Sequence, residues 1–401
     1  MNQSFDIKEL RKFGKKDEFR DEPDWENQLI TTCQNISNET FEFELKQVGS
    51  YYLTEVFSNK LILRKLNDNI KRIYKDEQAN RKIIISQIKV LLEETCPYWI
   101  IKTDIKNFYE SIDRERLLKK FQDDSMLSYY SMFLLYKLFE NMIVNTTTGV
   151  LRGMNISATL SEIYLRKFDK WIKNCSGVYY YARFVDDIVV FINNEEDARF
   201  LLENLYKKLE ELAEGLTINT SKTQLFNGNS LKQIPITNSL KIKGNNNFEY
   251  LGYKFVKTQN KRDVILKISI ADKKIKKIKS RISFSFADYL KNNDFFLLND
   301  RIKFLTGNYS IKKRKEEDSD LRAGIFFNYS HLSDFEVLDE LNKYYRKILF
   351  AKNCAFGAKL DSKLSSIQKD KLKKYCFKVG FVKKIYNVFD NSQMSKIVKC
   401  W

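Results

Sequence analysis

Proline is nearly missing, with 3 residues in a chain of 401, and glycine totals only 13, against about 20 and 28 at average usage. Collagen-like, mucin-like and flexible-linker architectures are excluded. Histidine occurs once, as His331. That rules out multi-histidine zinc catalysis and leaves any serine triad dependent on one residue, with no nucleophile elbow to use it. The six cysteines, Cys33, Cys96, Cys175, Cys354, Cys376 and Cys400, form no Cys-x-x-Cys pair. Neither a zinc ribbon nor a disulfide framework is expected, and they read as reduced core thiols. No stretch approaches the ~18 uninterrupted apolar residues of a membrane span, and the first residues lack an apolar signal core. A cytoplasmic protein with no membrane partner is expected. Its chemistry must run on carboxylates, lysines or metals held by oxygen.

What the chain does have is a core and a charge imbalance. Apolar residues make up 43% and aromatics 14%, enough to fold, and the length implies two or three cooperating parts. The net charge is +18, yet residues 257–401 hold 33 basic and 16 acidic side chains, a net +17, which leaves +1 for residues 1–256. Basic runs containing Lys273, Lys274, Lys276, Lys277 and Arg281, and then Lys312, Lys313 and Arg314, are interleaved with Phe284, Phe286, Tyr289 and Tyr309. Cations neutralise phosphates while aromatic faces stack on bases or fill a core. A single lysine run is more often a solvated helix face. The asymmetry of the whole segment points instead to a polyanion-binding domain, and without a membrane anchor that polyanion is nucleic acid.

Periodicity supplies the elements. Residues 1–60 read as an N-terminal extension with short helices, and residues from 61 as a strand pair followed by a helix through Ile83, Ile84, Ile88 and Leu91. Residues 98–105 form a β-branched run with Asp104 near its end, as in a buried strand. Asp113 caps a long helical pattern, a second helix covers about 156–175, and two apolar runs, 178–184 and 188–192, flank Val185, Asp186 and Asp187 as a hairpin. An acidic helix over 195–214 and strands over 216–225 and 248–256 complete an α+β pattern with an antiparallel sheet at its centre. Charge alone draws a boundary near Val256.

Two adjacent carboxylates at a hairpin tip between bulky apolar residues are costly unless something cationic binds them. A plain turn is the alternative, since turns favour aspartate. Asp104, at the end of a hydrophobic strand, supplies a third carboxylate that an adjacent strand can bring alongside. Such oxygens suit Mg²⁺, with Mn²⁺ as an alternative, because the ion takes carboxylates together with substrate phosphates. Two ions ~4 Å apart would activate a primer 3′-hydroxyl and stabilise leaving pyrophosphate, which is polymerase chemistry.

At these residues the sequence resembles the prokaryotic reverse transcriptases, across residues 61–256. Asp104-Ile-Lys-Asn-Phe-Tyr-Glu-Ser-Ile-Asp113 is similar to the first palm motif, and Gly149-Val-Leu-Arg-Gly-Met-Asn-Ile-Ser-Ala158 to the loop that contacts template and nucleotide. Arg183-Phe-Val-Asp-Asp187 resembles the aromatic-x-Asp-Asp hairpin, Gly215-Leu-Thr-Ile-Asn-Thr-Ser-Lys-Thr223 the next motif, and Tyr250-Leu-Gly-Tyr-Lys-Phe255 the primer-grip hairpin. The resemblance implies a right-hand polymerase, with fingers and palm at 61–256 and a basic, mainly helical thumb at 257–401. It makes Asp104, Asp186 and Asp187 the catalytic metal ligands. Tyr109 becomes the gate against a ribose 2′-hydroxyl, although its residue type alone equally fits a core aromatic. Lys75 and Arg81 would grip the triphosphate, and Lys222 would protonate pyrophosphate. Where the family commonly has Pro-Gln-Gly, this chain has Leu151-Arg152-Gly153, so Arg152 and Gly153 would face the nucleotide with an added cation. That departure looks closer to the abortive-infection and defence-associated branch, and the build resembles the smaller polymerase of type 3 defence-associated systems.

The implied function is RNA-directed DNA synthesis from dNTPs on a dedicated noncoding RNA, with nascent DNA as product, in antiphage defence. A second polymerase subunit or a homo-oligomer remains open as a partner. Alternatives are a catalytically silent RNA-binding scaffold, a template-independent or protein-primed DNA polymerase, and an RNA-dependent RNA polymerase. Tyr109, and Phe-Val where the last class usually has glycine before Asp-Asp, argue against it.

Overall fold

A computed structural model of the chain describes residues 2–75, 79–141, 143, 144, 147–236, 247–259, 264–311 and 322–401. The chain forms two compact units: Met1–Ile84 with Thr95–Asn229 and Gln233–Lys243, and Ile85–Glu94 with Ser230–Lys232 and Gly244–Trp401.

The first unit begins with α1 (Ile7–Arg11), α2 (Lys16–Asp21), α3 (Trp25–Ser37) and a small hairpin, β1 (Lys46–Val48) with β2 (Tyr51–Leu53). The segment expected as a strand pair is instead one helix, α4 (Phe57–Tyr74), followed by α5 (Arg81–Glu93). The reason is packing. Phe57, Leu61, Leu66, Ile70 and Tyr74 recur at helical spacing and are buried, while Ile62, Lys65 and Asn69 are buried as well, so the helix is covered on more than one side and its periodicity blurs. The enclosed donors are paired: Lys65 Nζ donates to the Asn2 carbonyl at 2.8 Å and Asn69 Nδ2 to Ser131 Oγ at 3.2 Å, while Asn69 Oδ1 is buried without a partner.

Next come β3 (Trp99–Lys106), α6 (Arg114–Asp124), α7 (Tyr129–Glu140) and α8 (Asn155–Lys173). The Asp113 side chain accepts from the Arg116 amide at 3.0 Å and caps α6, as expected, but the long helical pattern breaks at Ser125, whose φ is 50°. After α8 run β4 (Val178–Phe184), β5 (Asp187–Ile192), α9 (Glu195–Leu212), β6 (Thr217–Ile218), β7 (Gln224–Asn227) and β8 (Gln233–Ile234). The strand expected over 216–225 is thus two short strands, divided by a 3-10 turn at Thr220–Lys222. The sheet order is β4-β5-β3-β7-β8, with β6 paired to the end of β3. β3 is therefore central, which explains its apolar run: Ile100, Ile101, Thr103, Asp104 and Ile105 are all buried. Helices α8 and α9 pack against this sheet and each other.

The second unit takes most of α5, from Ile85, and then β9 (Phe248–Tyr250), β10 (Tyr253–Gln259) and β11 (Val264–Ile270), an antiparallel meander. Residues 248–256 thus form a hairpin that turns at Leu251 and Gly252, both at positive φ. The rest is mainly helical, through α10 (Asp272–Asn292), α11 (Phe295–Thr306), β12 (Asn308–Ile311), β13 (Arg322–Gly324), α12 (Ile325–Asn328), α13 (Glu336–Leu349), α14 (Ala355–Lys363), α15 (Ser366–Lys373), α16 (Phe377–Val382), β14 (Tyr386–Phe389) and α17 (Asn391–Val398). The α+β class expected from the sequence is the observed one.

The cysteines depart from expectation. All six are unpaired, but none is fully buried, and Cys96 and Cys354 are exposed. Cys354 sits at the start of α14, where its sulfur accepts the Gly357 amide, a polar role that keeps it at the surface. Among the described residues, no helix is long and apolar enough to cross a membrane.

Candidate active site

Antiparallel pairing of β3 with β5 puts Asp104 directly opposite Asp187, a spacing of about 4.5–5.5 Å between Cα atoms. Beyond the ladder, the Ile105 amide donates to the Asp186 carbonyl at 3.1 Å. All three carboxylates expected to act together therefore lie at one end of the sheet. On the other side of β3, the Asn219 amide donates to the Asp104 carbonyl at 2.8 Å, and the 3-10 turn that follows delivers Lys222, whose ammonium contacts Asp104 Oδ2. Thr103 and Thr223 hydroxyls bond at 2.8 Å and tie the same segments together.

The electrostatics describe a site short of positive charge. Burial, then the neighbouring Asp186, pushes the Asp187 carboxyl up to about 6. Burial and Asp104 also raise Asp186. Asp104 is 5% exposed, and its Oδ1 is buried with no hydrogen-bond partner. Lys222 holds its proton above the usual lysine range, chiefly through its bond to Asp104. Among the described residues, no three Asp, Glu, His or Cys side chains converge tightly enough to enclose a metal ion by themselves. One or two carboxylates with an open side are nevertheless what Mg²⁺ uses when substrate phosphates complete its shell. The orphaned Asp104 oxygen, and two carboxylates that disfavour each other's charge, fit such an ion.

Against this end of the sheet lies the loop at 149–153. Gly149 has φ +75°, and a Cβ there would meet the Tyr109 carbonyl at 2.1 Å and Glu110 Cα at 2.4 Å, so only glycine allows this approach. The Val150 amide donates to that same Tyr109 carbonyl at 2.8 Å. Arg114 of α6 secures the loop by donating from Nε to the Gly149 carbonyl, and it also donates to the Val144 carbonyl at 2.9 Å and Thr147 Oγ1 at 3.0 Å. Tyr109 is half-buried, and burial raises its phenol above the ordinary range. The Arg152 guanidinium is 5.9 Å from the Tyr109 ring centroid and forms a two-pronged ion pair with Glu110, Nη2 donating to Oε2 at 3.0 Å. Arg152 also senses Asp186 electrostatically. Gly153, at φ +93°, lets the loop meet β2, where the Tyr52 amide donates to the Arg152 carbonyl at 2.8 Å. Asp104, Asp186, Asp187, Lys222, Tyr109, Arg152 and Gly153 all belong to this first unit.

The hairpin between β4 and β5 is unusual. Phe184 pairs with Asp187, leaving Val185 and Asp186 as a two-residue turn, with Val185 at φ +62°. Such turns normally place glycine first. A β-branched residue there is strained, by about 1–3 kcal/mol. Arg183, 6% exposed, donates from Nη1 to the Val185 carbonyl at 3.0 Å. Its other donors go to α8: Nη1 and Nη2 to Glu162 at 2.9 and 2.6 Å, Nε and Nη2 to Asp169 at 2.9 and 2.6 Å.

The remaining expected residues are placed elsewhere. Lys75 is exposed at the left-handed end of α4, and Arg81 starts α5. In the second unit, Lys273, Lys274, Lys276 and Lys277 are exposed on α10, whereas Arg281 is partly buried with its guanidinium 4.8 Å from the Trp401 ring centroid. Lys312, Lys313 and Arg314 lie outside the described residues. Sequence reasoning missed Glu110, Glu162 and Asp169. Their partners lie at long chain separations, and the only available signal was an acid at positions 162 and 169 on one face of a helix.

A family model described as reverse transcriptase (RNA-dependent DNA polymerase) matches residues 55–255, half of the chain. Among solved structures, apo telomerase from Candida tropicalis, truncated from its C-terminal domain, is 12% identical with a TM-score of 0.35, covering 64% of this chain and 49% of its own. Telomerase from Candida albicans in complex with a TWJ fragment of telomeric RNA is 13% identical with a TM-score of 0.36, covering 84% and 53%. The chain thus spans about half the length of these structures. No curated protein sequence matches it.

Proposed function

The chain belongs to the reverse transcriptase family of RNA-directed DNA polymerases, and from that premise we propose that it copies a dedicated noncoding RNA into DNA, using dNTPs, in bacterial defence against phage. The observation that carries the catalytic part is the register that sets Asp104 opposite Asp187, with Asp186 beside them. These three carboxylates would hold two Mg²⁺ ions, or Mn²⁺ in their place. When bound, such ions activate a primer 3′-hydroxyl and neutralise charge on leaving pyrophosphate.

The chain's own groups do the rest. Tyr109, packed under the 149–153 loop, walls off the space a ribose 2′-hydroxyl would need. Arg152 and the Gly153 backbone face the nucleotide, with Glu110 setting the guanidinium plane. Lys75 and Arg81 draw in the triphosphate as point charge and fork. Lys222, whose proton Asp104 stabilises, delivers it to pyrophosphate as the P–O bond breaks. The lysines of α10, with Lys312, Lys313 and Arg314, neutralise template and product phosphates. This reading divides the chain into an N-terminal extension at 1–60, fingers and palm at 61–256 and a thumb at 257–401.

The assignment to defence rests on Leu151-Arg152-Gly153 and the resemblance to the smaller polymerase of type 3 defence-associated systems, which implies work in the cytoplasm and allows a second polymerase subunit. Sequencing the RNA and DNA that copurify with the protein tests it. One discrete RNA with complementary DNA supports a dedicated template; a random transcript mixture overturns it. Phage challenge of cells expressing the protein or its Asp186→Ala variant tests the defence role, which requires protection only by the former.

A further inference from the structure

The active-site turn has a residue in an unfavourable conformation and a neighbour whose hydrogen bonds fix it there. Val185 stands at φ +62° where a two-residue hairpin favours glycine. Its carbonyl accepts from Arg183, a side chain only 4% exposed. A guanidinium has five N–H donors. Here the five bonds run to Asp169 Oδ1 and Oδ2, Glu162 Oε1 and Oε2, and the Val185 carbonyl. Tyr181, two residues earlier on the same face of β4, adds its hydroxyl to Asp169 at 2.5 Å. Helix α8 thus presents two acids that orient the guanidinium rigidly, and its one remaining direction ends on the turn. Buried ion pairs are weak evidence for stability in themselves, and in some proteins they serve to specify a geometry. The geometry specified here is that of Val185, and the next two residues are Asp186 and Asp187.

We propose that Arg183 is a positioning residue for the two carboxylates. Clamped by Glu162 and Asp169, it holds the Val185 carbonyl and so keeps the turn in the left-handed form that seats the Asp186 carbonyl on the Ile105 amide and aligns Asp187 with Asp104. The inference rests on the polymerase reading for its consequence, but not for its geometry. Lysine cannot replace Arg183, because a single ammonium cannot reach both acids and the carbonyl. Glycine at 185 removes the need for the clamp, since it takes positive φ without steric cost.

The test compares wild type with Arg183→Lys, Val185→Gly and the double variant. Arg183→Lys keeps a cation between Glu162 and Asp169, so the fold survives. Hydrogen exchange over residues 103–106 and 184–187 requires no catalysis. There the lysine variant should exchange about 10-fold faster, and the double variant should return most of the way to wild type. In RNA-templated dNTP incorporation, the lysine variant should lose about 30–100-fold in kcat with KM within about 2-fold, since misplaced catalytic groups cost rate more than binding. The double variant should recover at least ~10-fold of that loss. Wild-type exchange and kcat in Arg183→Lys, or a loss that Val185→Gly does not repair, overturns the proposal. An inactive wild type would instead count against the polymerase reading, and the exchange arm would still decide the role of Arg183.

Discussion

Asp104 and Asp187 are register partners across the central pair of strands, and the Asp104 carboxylate has one oxygen on Lys222 and the other buried without a partner. An arrangement that leaves buried carboxylate oxygens unsatisfied costs stability unless a cation or proton arrives.

The burial of Asp187 beside Asp186 has a measurable pH signature in metal-free protein. Burial and Asp186 raise Asp187 to about 6 from the 3.8 of an ordinary aspartate. Between those values the native state binds a proton that the unfolded chain releases, so stability falls as pH rises through the window from about 4 to 6. Asp187→Asn removes the penalty. It should stabilise the metal-free protein by about 2 kcal/mol at pH 7.5 and by almost nothing at pH 4. Denaturant melts with chelator present check this; equal effects at both pH values would contradict it.

Lys222 is expected to act on the departing pyrophosphate. Lys222→Met should lower kcat by about 100-fold while the dNTP KM changes little. Steady-state incorporation, with single-turnover kinetics to isolate chemistry, checks the split. A rise in KM alone would reassign Lys222 to binding.

Tyr109 is half-buried against the Arg152 loop, with the guanidinium 5.9 Å from its ring centroid. Tyr109→Ala should reduce discrimination between dNTPs and rNTPs by about 10–100-fold in kcat/KM. Unchanged discrimination would make Tyr109 a packing residue.

Gly149 allows the 149–153 loop to lie on Tyr109. Gly149→Ala combines a left-handed φ with a backbone overlap at 2.1 Å and should cost about 2–4 kcal/mol of stability. A thermal melt against wild type measures this, and loss of nucleotide binding should accompany it.

The legible parts of this protein were those with short-range signals. Residues 98–105 and 188–192 declared themselves as strands because central strands are apolar on both faces, and the acids stood out as exceptions within them. The same logic failed for α4, which is also covered on more than one side but as a helix, so that Leu61, Ile62 and Leu63 imitated a strand. Nothing local marks the Arg183 clamp or the Arg152–Glu110 pair, because each joins residues 14 to 42 positions apart. Val185 was hidden for the opposite reason: its residue type argues against the conformation it adopts.

The most direct measurement is incorporation of radiolabelled dNTPs on a primed RNA template with Mg²⁺, comparing wild type with Asp104→Ala and Asp186→Ala variants of matched thermal stability. Wild type should make template-complementary DNA and both variants should lose at least about 1,000-fold, as expected when groups acting as one unit are removed singly. Synthesis that persists in either variant would contradict it.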